Sequence, residues 1–218
     1  MSEMQYLSDR RSFLSAAAAV SVTASGLIQL PESVFASDDS INIIGPKPGY
    51  SPQIGTLVSM LTWMQTAIPP AVKGLTQGDL DHLFDSHANT IGALLLHLAA
   101  TETYYQLNTF ERTNWDSWPE AVKQKWDPAM NLGKLGRETI KGHDLAYYLN
   151  IQRETRERSL AEFRKRDDAW LMSVDKTWPW GPTDNYCKWF HVCEHISHHT
   201  GQIAFLRKRL RGAKPDSE

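Results

Sequence analysis

The stretch IGALLLHLAATETYYQL, residues 91–107, constrains the fold of this chain more than any other. For its first three turns, apolar side chains fall on every side of a helix. Such a helix must be enclosed by others rather than lie on a surface. His97 is the only ionisable side chain between Ile91 and Thr101. A buried imidazole needs partners for its ring nitrogens, and the polar neighbours its own stretch offers are Thr90 and Thr101.

Three further helices are expected around it. Ile54, Leu57, Val58, Leu61 and Met64 stand at helical spacing. They predict a first helix from about Ser51 to Ile68, ended by Pro69 and Pro70. The enclosed helix is the second, opening near Asn89 and Thr90. A third, from about Asp144 to Leu171, carries the charge run QRETRERSLAEFRKRDD, read as a solvated face laced with i,i+4 pairs. A fourth runs from about Asn185 to Leu210, with Asp184 as its N-cap. Its basic end, RKRLRGAK, complements the negative end of the helix dipole. Residues 76–85 read as a turn or short helix, and TWPWGP as a rigid loop. Residues 108–142, with Trp115, Trp118, Trp126, Pro119 and Pro128, read as an irregular connection over one end of the molecule. No internal repeat or strand-like alternation occurs. The fold class is therefore all-α, a four-helix bundle with a long Trp-rich connection between helices 2 and 3.

The N-terminus reads differently. SDRRSFLS precedes the weakly apolar AAAAVSVTASGLIQL and the small-residue site Val34, Phe35, Ala36. That order marks an export signal over residues 1–36, cleaved after Ala36. Arg10, Arg11, Phe13 and Leu14 resemble a twin-arginine (Tat) signal, with Asp9 and Ser15 departing from its usual residues. A periplasmic or secreted protein is expected. Residues 37–50 read as a linker, 51–212 as the bundle and 213–218 as a tail. The formal net charge of −2 gives no general pull toward nucleic acid or an anionic membrane. Beyond the signal no apolar run is long enough to span a bilayer. Cys187 and Cys193 share the fourth helix, ~9 Å apart along its axis, too far to bridge.

That helix contains HVCEHISHHTGQI, with four of the chain's eight histidines. On a helical wheel, Val192, Ile196, Ile203 and Leu210 define the apolar stripe. His199 lies roughly 40° from its centre and His195 roughly 80°, on the same flank. His191 and His198 lie roughly 120° and 140° away, toward solvent. Spaced i,i+4, His195 and His199 can aim at one atom, and His97 offers a third imidazole. Three neutral imidazoles around one ion would satisfy one another and leave a coordination position open, as catalytic sites do. Gln202, on the face of His195, is placed to hydrogen-bond a ligand ring or a bound water. His191 and Thr101 are the other candidates to surround the site. Glu102 and Glu194 are general bases by chemistry alone, but the wheels turn both away from the histidine face. Cys193 lies on the far flank, against a Cys–His nucleophile pair.

These segments resemble the DinB family of bacterial four-helix metalloproteins. IGALLLHLAATE matches with His97 as the first histidine, and WFHVCEHISHHTGQIAFLRKRL with His195 and His199 before Gly201 and Gln202. WDPAMNLGKLGRETIKGHDLAYYL is similar to one branch of that family. The likeness spans about residues 51–210. Where the family often has Arg between the last His and Gly, this chain has Thr200. The resemblance implies an up-down-down-up bundle with a divalent ion, zinc or nickel, on His97, His195 and His199. It also implies pairing into a homodimer through exposed helix faces. The expected function is an exported metal-dependent hydrolase or thiol-dependent transferase acting on an unknown small molecule. Trp115, Trp118 and Trp178 to Trp180 would shape the substrate pocket. The alternative is a non-catalytic metal-dependent binding or stress-associated module.

Overall fold

A computed structural model describes residues 40–213. The expected export signal, residues 1–36, lies outside them. Among the described residues the elements are α1 (Pro52–Gln65), α2 (Ile68–Val72), α3 (Gln77–Leu80), α4 (Ile91–Thr109), α5 (Glu120–Asn131), α6 (Gly133–Thr139), α7 (Leu145–Phe163), α8 (Asp168–Leu171), β1 (Val174–Asp175), β2 (Thr183–Asp184) and α9 (Asn185–Arg207). The strands form one short antiparallel pair. The four long helices α1, α4, α7 and α9 make the all-α bundle expected from the sequence.

Each long helix starts where the local chemistry favours it. Pro52 opens α1 from the first turn, where a missing N–H costs nothing. Thr90 Oγ1 accepts from Ala93 N at 3.0 Å, Asp144 Oδ1 from Tyr147 N at 2.9 Å, and Asp184 Oδ1 from Cys187 N at 2.7 Å. These caps satisfy orphan N–H groups at three helix N-termini. Pro69 and Pro70 do not merely end the first helix; α1 stops at Gln65 and the prolines open α2.

Two hydrophobic clusters give the helix directions. One joins the start of α1 (Ile54, Leu57) to the end of α4 (Tyr105), the end of α7 (Phe163) and the start of α9 (Trp189, Val192). The other joins the start of α4 (Ile91 to Leu95) and of α7 (Tyr148) to the latter half of α9 (Ile196, Ile203) and to α2. Helices α4 and α7 therefore run opposite to α1 and α9, an up-down-down-up order.

The structure corrects three expectations. Residues 108–142 are not structureless: they contain α5 and α6, with Pro128 inside α5. The third helix ends at Phe163, and Asp167 caps a separate turn, α8. The charge run is not wholly solvated. Arg156 is 5% exposed. Its Nε and Nη2 donate to the two carboxylate oxygens of Glu102 at 2.8 and 2.9 Å, and Nη1 donates to the Leu61 carbonyl at 2.9 Å. Ser159 Oγ donates to the same carboxylate at 2.6 Å. This pair clamps α7 to α4 and takes Glu102 out of any role as a base. No helix among the described residues is long and apolar enough to cross a membrane.

Candidate metal centre

His97 sits midway along α4, and His195 and His199 midway along α9. Because the two helices are antiparallel neighbours, their midpoints meet and all three imidazoles converge. His97 Nε2 lies 2.7 Å from His195 Nε2, and His199 Nε2 lies 3.1 Å from it. His97 and His199 are buried and His195 is half-buried.

The other ring nitrogens fix where the protons sit. His97 Nδ1 is 2.8 Å from the Ala129 carbonyl, and His199 Nδ1 is 2.8 Å from Gln202 Oε1. Both oxygens can only accept, so both Nδ1 atoms carry the proton and both Nε2 atoms present lone pairs. Ala129 is available because α5 ends at Asn131, and the last carbonyls of a helix have no partner within it. His97 thus closes the end of α5.

Burial pushes His97 down to about 4. His195 falls to about 3, through burial first and then through the neighbouring imidazoles. Burial also lowers His199. All three rings are uncharged at neutral pH. His195 Nε2 therefore faces two lone pairs, and a single N–H there could satisfy only one of them. A divalent cation would satisfy all three nitrogens, and three nitrogens on one such ion would stand roughly 3 Å apart. The donor set fits a metal ion, as the grouping of these three side chains also indicates.

The family model described as mycothiol S-transferase matches residues 56–212. The chain belongs to the mycothiol S-transferase family. That family is DinB-like, so the resemblance read from the sequence holds. No curated protein matches the chain.

Gln202 supports the ring of His199 through its Oε1, and its Nε2 donates to His198 Nε2 at 3.0 Å. Thr101 does not reach the histidines; its hydroxyl faces Met130 Sδ at 3.7 Å. Glu194 is exposed and lies 3.9 Å from His191 Nε2. Cys193 is buried on the far side, and burial pushes its thiol up to about 12. Thr200, at the position where DinB relatives often carry Arg, has a buried hydroxyl with no hydrogen-bond partner among the described residues.

Aromatic rings lead up to the centre. Trp118 meets Trp115 at 5.4 Å between centroids, Trp115 meets Trp178 at 4.6 Å and Trp178 meets Trp180 at 5.5 Å. Trp180 then meets His191 at 5.0 Å, and His191 meets His195 at 5.1 Å. Lys188, unnoticed in the sequence, is 2% exposed beneath this wall. Its ammonium donates to Asn108 Oδ1 at 2.9 Å and Asp175 Oδ2 at 2.8 Å, and lies 4.3 Å from the Trp178 ring.

Proposed function

We propose that this chain is a divalent-metal-dependent thiol S-transferase, with His97, His195 and His199 as the ligands. The observation that carries this reading is the convergence of three Nε2 atoms, two of which, on His97 and His199, are left unprotonated by their Nδ1 partners and face the third on His195. Membership in the mycothiol S-transferase family favours thiol transfer over hydrolysis and makes mycothiol the first thiol to test. Zinc or nickel suits an all-imidazole set. A bound ion of this kind would supply a Lewis acid that lowers the pKa of a thiol.

The protein's own groups prepare the site. The Ala129 carbonyl and Gln202 hold two ligand rings in one tautomer and orientation. The wall from Trp118 to Trp180 excludes water on one flank and offers flat apolar surface to an electrophile. Thiol transfer should be measured with the full chain, with and without a chelator, and with His195→Ala. The expected result is transfer that depends on metal and disappears in the variant. Metal binding without transfer of any low-molecular-weight thiol would instead support the non-catalytic binding module.

Export belongs to the same proposal. Arg10 and Arg11 support passage of the folded, loaded protein through a twin-arginine route. Detection in the periplasmic or culture fraction, lost on replacing both arginines by Lys, checks it; an unchanged cytoplasmic location in parent and variant contradicts it.

A further inference from the structure

Tyr105 and His191 approach the histidine cluster from the aromatic flank. The Tyr105 hydroxyl is 2.6 Å from His191 Nδ1. Tyr105 is 1% exposed, and among the described residues this is the one hydrogen bond its hydroxyl makes. A phenol keeps its proton at neutral pH, and a buried hydroxyl proton needs an acceptor. Since His191 Nδ1 is the acceptor in reach, the proton of the neutral imidazole sits on Nε2. The reverse arrangement would leave the tyrosine proton buried and unpaired. His191 Nε2 lies 3.9 Å from a Glu194 oxygen, beyond hydrogen-bond range, so this donor stays open to a ligand.

His191, Glu194 and His195 also bring possible ligand atoms within 4.8 Å of one another. That grouping invites a second ion. A ring nitrogen that carries a proton cannot ligate, however, and the other nitrogen is taken by Tyr105. The cluster offers a hydrogen-bond donor instead.

We infer that Tyr105 locks His191 as a neutral Nε2–H donor beside the metal centre, and that this donor receives the oxygen of an epoxide electrophile during thiol transfer. The second half rests on the transferase reading above. In thiol addition to an epoxide, the sulfur loses its proton to solvent and forms a C–S bond as the ring C–O bond breaks. The bond pair moves to oxygen, which takes a proton back from solvent, so no oxidant or reductant enters. A fixed N–H aimed at that oxygen is favoured most as its charge develops. A departing bromide has no such oxygen.

Long-range 15N–1H spectra of the zinc-loaded full chain test the lock. We expect the Nε2–H pattern for His191, and a mixture of tautomers in Tyr105→Phe. An Nδ1–H or metal-bound pattern in the parent overturns it. The donor role is tested by rates with mycothiol and either an epoxide or an alkyl bromide of similar size. His191→Ala should lower the epoxide rate by about 10²-fold and spare the bromide rate, with metal content unchanged and partial recovery in His191→Gln. Equal loss with both electrophiles, or loss of the ion, overturns the donor role. A parent that transfers thiol to neither electrophile sinks the transferase reading together with that role, while the spectra still decide the lock.

Discussion

His97 gives its Nδ1 proton to a helix-end carbonyl, so at this residue folding and ligation ask for the same state, a neutral ring. Burial holds His97 near 4 and His195 near 3, below the ~6.5 of an unfolded chain. The unfolded chain therefore binds more protons as pH falls below about 6.5, and this part of the stability is whole above that pH and lost on the way down to about 3. Thermal melts of chelated protein should show Tm falling across that window. A Tm that stays level or rises on acidification would contradict the buried neutral triad. Gln202→Ala should weaken metal binding by about 10–100-fold, read by competition with a chromogenic chelator; unchanged affinity would show that the Gln202 contact does nothing for His199. The three histidines were legible as candidate ligands because a lone histidine in an apolar run and an i,i+4 pair on a stripe flank are local signals. Ala129, Tyr105 and Arg156 were not legible. Each acts through a contact across 32 to 86 residues of chain, and no local spacing encodes such a contact.

At the scale of elements, α4 and α7 pack unusually closely. A Cβ at Gly92 would lie 2.7 Å from the Tyr148 hydroxyl and 2.9 Å from its ring carbon Cζ. Gly92→Ala should cost about 1–3 kcal/mol by overpacking, measured by urea denaturation, and Tyr148→Leu in the same chain should recover part of it. No loss in the single variant would mean the helices are spaced more widely than described. The same interface is polar: Gln152 Nε2 donates to the Leu95 carbonyl at 2.7 Å and Gln106 Nε2 to the Thr155 carbonyl at 2.7 Å, beside the Glu102–Arg156 pair. Arg156→Met should destabilise by about 3–5 kcal/mol by stranding the buried carboxylate, whereas Glu102→Leu with Arg156→Met should be far milder. Equal losses would contradict that account. This polarity explains why the charge run looked solvated, since its inward face carries no apolar stripe. Residues 108–142 misled for a related reason. Proline, glycine and tryptophan there resemble loop composition, yet α5 tolerates Pro128 near its end and leaves its Ala129 carbonyl to His97.

For the whole molecule, the bundle was within reach of the sequence, because a helix apolar on all sides must be surrounded, whereas the up-down-down-up order came only from the resemblance to the DinB family. The site then follows from the antiparallel meeting of α4 and α9. An ion shared by these helices would bind the folded state alone, so its removal should lower Tm and its return restore it. The most direct test is metal content by mass spectrometry on the untagged full chain, beside His97→Ala and His195→Ala. One divalent transition-metal ion per chain, lost in both variants, is the predicted result. No ion in the parent even after loading with zinc or nickel, or an ion that survives both substitutions, would contradict the three-histidine centre.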